Sequence, residues 1–335
     1  MPFTRIGLRT LLVTSVTASL TAALLIPPAT AEARGAPVES GAAGAAEAST
    51  ADWMAGLPDG ASLASLSVPG THDTGAWTGT VWSRTQDMEL SRQLESGVRA
   101  LDVRTRHYRD AFPIHHGAEY LHLNFTDVVT DTAVFLSEHP TETVLMRLKK
   151  EHTEEENTRT YEETLDHYIE SDPETAPLLA EHLWRPSGGE RVPDLGEVRG
   201  KIVILQDFDA GKGYGIRWGG ASTDIQDDYR VPTLFDIPDK WEKARSHFER
   251  TADGAPETLY INHLSGSGAP WANPREVATG GPGFRGVNDH ARPYLSRSAA
   301  EGTLPRTGVV MADFPDQELI GAVIGHNRTV AAQRS

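Results

Sequence analysis

The chain of 335 residues contains no cysteine, which removes disulfides, thiolate metal sites and a cysteine nucleophile at once. Stability then has to come from a buried core. The sequence also lacks a Gly-x-Ser-x-Gly elbow and a phosphate loop ending in Gly-Lys-Ser/Thr, so serine-hydrolase and nucleotide-binding readings lose their usual signatures. Basic residues are scarce against acidic ones, 31 to 47, for a net charge of −16. A surface of that sign repels nucleic acid and anionic bilayers, and leaves membrane contact to apolar and aromatic groups. There is no visible internal repeat, and no stretch beyond the N-terminus is apolar over the ~20 residues that a membrane span needs.

The N-terminus reads as a processing signal. Arg5 and Arg9 precede an apolar run, Leu11 to Ile26, which is followed by Pro27-Pro28 and the small-residue sequence Ala29-Thr30-Ala31. That order matches a cleaved secretory signal over residues 1–31 and predicts a secreted, extracellular protein. Loss of Arg5 and Arg9 takes the net charge to about −18. Residues 32–50, rich in Ala, Gly, Glu and Ser, show no apolar periodicity and are expected to be a disordered leader. The folded domain is then expected over 51–328 with a short tail at 329–335, a length that one barrel fills without splitting.

From Asp52 onward short apolar runs alternate with helix-like segments. Strands are predicted at Leu63 to Val68, Arg99 to Arg104, Ala111 to Ile114, Val144 to Leu148, Lys201 to Leu205, Leu259 to Ile261 and Thr307 to Ala312. Helices are predicted at Asp87 to Glu95, from a Thr126 cap through Glu138, at Glu154 to Ile169, around Trp241 to Phe248, and through Leu319 to Ile324. Alternation of this kind predicts parallel α/β architecture, an irregular (β/α)8 barrel in a single domain. His72, Arg104, His116, Lys149, Asp207 and Asp313 each follow an apolar run, and in a barrel those strand ends converge on one rim.

Two histidines, His72 and His116, each sit between an apolar run and a glycine-bearing loop. A pair of imidazoles on opposite sides of a phosphodiester can act as general base and general acid at neutral pH. Arg104 offers a fixed positive charge for phosphoryl oxygens, and Asp73, Asp102 and Asp313 can orient these groups. A metal alternative stays open, because Asp207, Asp209, Asp224, Asp227 and Asp228 supply spare carboxylates. Arg104, two residues after Asp102, puts a cation where a metal would otherwise neutralise phosphate.

The ordered motifs Ser67-Val68-Pro69-Gly70-Thr71-His72-Asp73, Leu101-Asp102-Val103-Arg104-Thr105-Arg106, Ile114-His115-His116-Gly117 and Leu148-Lys149-Lys150-Glu151 resemble the bacterial phosphatidylinositol-specific phospholipase C family. The likeness extends through Asp227-Asp228-Tyr229 and the strand ending at Asp313. It implies cleavage of membrane phosphatidylinositol to diacylglycerol and a cyclic inositol phosphate, with no cofactor. By position, His72 is similar to the base, with Asp313 orienting it, and His116 to the acid, with Asp73 beside it. Arg104 is similar to the phosphate-stabilising arginine of the metal-independent members, supported by Asp102; in calcium-dependent relatives that position is acidic. Lys149, Asp227 and Tyr229 resemble the inositol-binding residues, and Trp82 and Trp271 fall in loops similar to the membrane-touching ones. Gln206-Asp207 departs from the pattern, which has an arginine there. A monomer is expected, and neither a same-fold phosphodiesterase acting on another headgroup, possibly with calcium, nor an inositol-lipid binding module is excluded by sequence.

Overall fold

The computed structural model describes residues 50–188 and 190–332. The expected signal segment and all of the leader before Thr50 lie outside those residues. Ten strands are present among them: β1 Ser67–Thr71, β2 Ala100–Thr105, β3 Pro113–His116, β4 Glu119–Asn124, β5 Thr143–Lys150, β6 Lys201–Asp207, β7 Ile216–Arg217, β8 Thr223–Gln226, β9 Leu259–His263 and β10 Gly308–Ala312. Eight of them run in the order β7-β6-β5-β2-β1-β10-β9-β8, every neighbouring pair parallel. β7 and β8 do not pair, so the barrel is nearly closed. The open seam falls where the β6–β7 and β7–β8 connections are loops without a helix. β3 and β4 form an antiparallel hairpin attached to the end of β2.

The helices are α1 Leu90–Glu95, α2 Phe125–Glu138, α3 Tyr161–Glu170, α4 Thr175–His182, α5 Leu195–Val198, α6 Ile237–Asp253, α7 Pro274–Thr279, α8 Val287–Glu301, α9 Gln317–Ile324 and α10 Arg328–Ala331. Several depart from the sequence expectation. The predicted helix from Glu154 begins at Tyr161, because Thr160 and Glu163 form the capping box and residues 152–159 are held in a loop by Asp110. The cap of α2 is Asn124 rather than Thr126, with Asp127 closing the box. β1 starts at Ser67, since Leu63–Ser65 is a 3-10 turn. α10 continues past residue 328 and buries Val330.

Two-residue periodicity places the chemistry. In a strand, alternate side chains face opposite sides. Leu66 and Val68 before and in β1, Ala100 of β2, Leu145 of β5, Val203 and Leu205 of β6, Leu259 and Ile261 of β9, and Val309 and Met311 of β10 share one buried cluster, the barrel interior. Their neighbours Leu101, Val103, Val144, Met146 and Leu148 join a second cluster with the helix residues Val129, Leu136 and Leu165. The inward column therefore continues, two residues at a time, to His72, Asp102 and Arg104, Arg147 and Lys149, Asp207, His263 and Asp313. Gly70 sits in that column because a Cβ there would lie 2.5 Å from Met311 Sδ and 2.9 Å from Ala100 Cβ.

The opposite end of β2 is anchored by a buried ion pair. Arg99 and Glu142 are both fully buried, 3.0 Å apart. Glu142 also accepts from Met54 N, while Arg99 donates to the carbonyls of Leu94, Val98 and Ala51. The pair thus ties the first helical turn, Thr50–Gly56, to the barrel. Glu142→Ala leaves a buried guanidinium without its carboxylate, and is expected to cost about 3–5 kcal/mol in urea unfolding. A loss below about 1 kcal/mol would show that the pair does not anchor this end.

Candidate active site

β1 ends in a turn bonded to its neighbour. Thr74 N donates to Asp102 O at 2.9 Å, and Thr74 Oγ1 accepts from Asp102 N at 2.7 Å. Asp73 takes the left-handed conformation, φ 44°, which Asp tolerates better than most residues. Its N–H donates to Asp102 Oδ2 at 2.9 Å. A similar left-handed residue, Phe314 at φ 46°, follows Asp313 at the end of β10. Each turn leaves its carboxylate at the strand end beneath a histidine.

A cavity of about 300 Å³ at this rim is lined by His72, Arg104, His116, Lys149, Asp227, Tyr229 and Asp313. That is the lower end of the roughly 300–1,000 Å³ of small-molecule sites, enough for one headgroup ring rather than a lipid. Asp73 and Asp102 are fully buried below it. Asp207 instead lines an adjoining cavity of about 380 Å³ with Lys150, Arg217 and Trp218.

His72 Nδ1 lies 2.7 Å from Asp313 Oδ1, and His72 Nε2 lies 2.7 Å from Arg104 Nη2. A guanidinium only donates, so Nε2 is the accepting, unprotonated nitrogen and Nδ1–H donates to Asp313. His116 is held differently. Its Nδ1 lies 2.5 Å from Asp73 Oδ2, and its side chain is 31 % exposed at the cavity wall. Burial pulls the His116 pKa down, but the hydrogen bond and charge of Asp73 outweigh that and raise it above its ordinary value. One imidazole is thus set to take a proton, and the other to hold one.

Arg104 Nε donates to Asp102 Oδ2 at 3.0 Å, and its Nη1 is 3.9 Å from Asp73. Burial opposes the guanidinium charge, yet Asp102, Asp73 and Glu151 together hold its pKa above the ordinary value. For Asp102 burial favours the neutral acid, and Arg104, Arg147 and His72 overcome it, keeping the carboxyl well below the usual range. Lys149 pairs with Glu151 at 2.9 Å, and Glu151 also accepts from Gly117 N at the turn of the β3–β4 hairpin that carries His116.

Several groups were not singled out by sequence. Arg147 is buried within the Val144 to Leu148 strand and binds both Asp102 and Asp207; its signal was a charge in an otherwise apolar run. His263 is fully buried with its ring 5.9 Å from that of His72, and burial, with Arg147 and His72 adding to it, drives its pKa well below the ordinary value. Lys240 of α6 is brought down to about 8 by burial, against the pull of Asp227, Asp228 and Asp313. Of the other aspartates of the metal alternative, Asp224 pairs with His247 and Arg250, and Asp228 with Lys243. Among the described residues, the one group arranged to hold a metal ion is Glu95, Glu138 and His139, which includes none of these aspartates.

The model of the phosphatidylinositol-specific phospholipase C X domain matches residues 63–207, the segment holding His72, Arg104, His116 and Lys149. The match covers less than half of the chain, and the chain is similar over most of its length to bacterial enzymes of that name. It is 29 % identical over 300 residues to the 1-phosphatidylinositol phosphodiesterase of Listeria monocytogenes, covering 83 % of this chain and 86 % of the relative. The enzyme of that name from Staphylococcus aureus strain Newman is 29 % identical over 295 residues, with 78 % and 88 % covered. The solved phosphatidylinositol-specific phospholipase C from Listeria monocytogenes superposes with a TM-score of 0.69 at 27 % identity, over 84 % of this chain and 99 % of that one. These relatives are named phosphatidylinositol phosphodiesterases, which supports phosphodiester-cleaving enzyme status for this chain.

Around the rim of this phospholipase-like barrel, Trp82 and Trp271 are 39 % and 71 % exposed, on loops that follow β1 and β9. Sequence reading missed two companions, Val81 and Phe235, the latter 80 % exposed after β8 and edge-on to Phe284. No helix among the described residues is long and apolar enough to cross a membrane.

The His116–Asp73 pair makes a pH prediction. A histidine raised above its unfolded value contributes stability that is fully present below about 6.5 and is lost as pH rises through the folded pKa. NMR titration of the His116 ring is expected to give a midpoint above that of a free histidine, and Asp73→Asn should lower it. A midpoint unmoved by Asp73→Asn would remove the carboxylate as the cause.

Proposed function

We propose that this chain is a secreted phospholipase C that cleaves phosphatidylinositol to diacylglycerol and inositol 1,2-cyclic phosphate without a metal ion. The observation that carries the reading is the pair His72 and His116 on one cavity that also holds Arg104, with His72 Nε2 accepting from Arg104 and His116 bonded to Asp73, which raises its pKa. Lys149 and Asp227 bond the inositol hydroxyls and Tyr229 lies against the ring. The ring 2-hydroxyl passes its proton to His72 Nε2, and its oxygen forms a bond to phosphorus. Arg104 transfers its Nη2 hydrogen bond from His72 to a phosphate oxygen, which frees Nε2 as the charge it must offset develops. The glycerol oxygen leaves and takes its proton from His116. Attack from within the substrate avoids the entropy of fixing a separate water.

Asp313 holds the His72 tautomer and stabilises the imidazolium that forms there, and Asp73 keeps His116 charged until it donates. Asp102 fixes Arg104. The enzyme acts as a monomer after cleavage beyond Ala31, with the barrel of 51–328 as the catalytic domain and Trp82 and Trp271 touching the bilayer beside Val81 and Phe235. Because the surface is strongly acidic, adsorption rests on these apolar side chains, not on attraction to anionic lipid.

His72→Ala and His116→Ala are each expected to lower turnover of phosphatidylinositol micelles by about 10²- to 10⁴-fold. Near-native turnover in either variant would remove that histidine from its role. Trp271→Ala combined with Phe235→Ala is expected to weaken sedimentation with neutral vesicles while preserving turnover of a short-chain, monomeric substrate. Equal losses on both substrates would place these side chains in the fold and not at the membrane.

A further inference from the structure

Asp102 is held from two sides. Its Oδ2 accepts from Arg104 Nε and from Asp73 N, and its Oδ1 accepts from Arg147 Nη1 at 3.2 Å. The terminal torsion of an aspartate is soft and nearly two-fold, so one-sided bonds do not fix it. Arg147 fixes the other side only if it is itself immobile. Its guanidinium, 5 % exposed, lies 3.9 Å over the Trp218 ring and donates from Nε and Nη2 to Asp207 Oδ2 at 3.0 and 2.6 Å. The result is an unbroken chain, Asp207–Arg147–Asp102–Arg104–His72, across β6, β5, β2 and the end of β1. Where the resembled pattern has an arginine, Asp207 has become the partner of an arginine on the next strand.

Building on the function proposed above, we propose that Arg147 is a positioning residue for Arg104, acting through Asp102, and that Asp207 tethers it. Arg147 also shares the Asp102 charge. A carboxylate divided between two guanidiniums neutralises Arg104 less completely than one bound to Arg104 alone, which leaves more positive charge for the phosphate. Lysine at 147 keeps the charge but has one ammonium in place of a fork, and cannot bridge Asp102 and Asp207 in the same way.

The test compares Arg147→Lys, Asp207→Asn and Arg104→Lys with the native chain on phosphatidylinositol and on its two phosphorothioate diastereomers, each with sulfur at one non-bridging oxygen. Arg147→Lys is expected to lower kcat by about 10- to 100-fold, the scale of a misplacement near 1 Å. KM should change little, and the preference between diastereomers should shrink, because Arg104 no longer meets one oxygen in a fixed geometry. Asp207→Asn, a nearly isosteric change at a position 27 % exposed, should move both readouts the same way by less. Native kcat and native diastereomer preference in Arg147→Lys, with Arg104→Lys strongly impaired, would overturn this proposal and leave the role of Arg104 standing. A lower kcat with unchanged preference would reduce Arg147 to a structural part. Should circular dichroism show that Arg147→Lys does not fold, silence of Asp207→Asn in both readouts would overturn the proposal. An Arg104→Lys chain with native rate and preference would overturn it together with the assignment of Arg104.

Discussion

The rim of this barrel depends on one ionised carboxylate kept out of water. Burying such a group costs several kcal/mol, and Asp102 is completely buried. The cost is met by a backbone N–H and two guanidiniums, whose charges keep it ionised. In return Asp102 holds the turn after β1 against β2, and fixes Arg104 close to His72. Removal of the carboxylate would leave Arg104 and Arg147 as neighbouring buried cations, with Asp73 without its backbone anchor. The arginine beside His72, and the turn that carries Asp73 beneath His116, therefore share this carboxylate as their anchor.

On that foundation two imidazoles of the same intrinsic chemistry are held in different surroundings. Each donates Nδ1–H to a buried carboxylate, so the carboxylates alone do not separate them. The separation comes from the other nitrogen. Arg104 donates to Nε2 of His72, which keeps that nitrogen unprotonated, whereas the exposed edge of His116 meets the cavity and Asp73 raises its pKa. The base and acid roles proposed for the two rings rest on that difference, one arginine bonded to His72 Nε2. The neutral, buried His263 beneath His72 adds no competing charge to the arrangement.

Much of this was legible from the chain. The alternation of apolar runs and helical segments predicted the parallel barrel, and the same two-residue period carried His72, Arg104, Lys149 and Asp313 to one rim. Elements whose signal is not apolar were missed. β8, Thr223–Gln226, has a single large apolar residue, Ile225, and is a strand because it pairs with β9. Of the β3–β4 hairpin, which turns through Gly117, only the run Ala111 to Ile114 overlapping β3 was read, and β4 alternates too briefly to stand out. Residues 154–160 carry helix-favouring charges, but Asp110 binds the amides of Thr158 and Arg159 and delays the helix to Tyr161. Arg147 was passed over because its strand was read by its outward residues, and Asp207, read only as a departure from an arginine, is the partner of Arg147 on the next strand. Such pairings lie across strands, where sequence separation hides them.

The most direct measurement is phosphorus NMR of the purified chain acting on phosphatidylinositol micelles with excess chelator. Attack by the inositol hydroxyl, aided by His72, His116 and Arg104 alone, predicts a cyclic phosphodiester signal as the first product at full rate. Inositol monophosphate as the first product, or turnover only after calcium is restored, would contradict it.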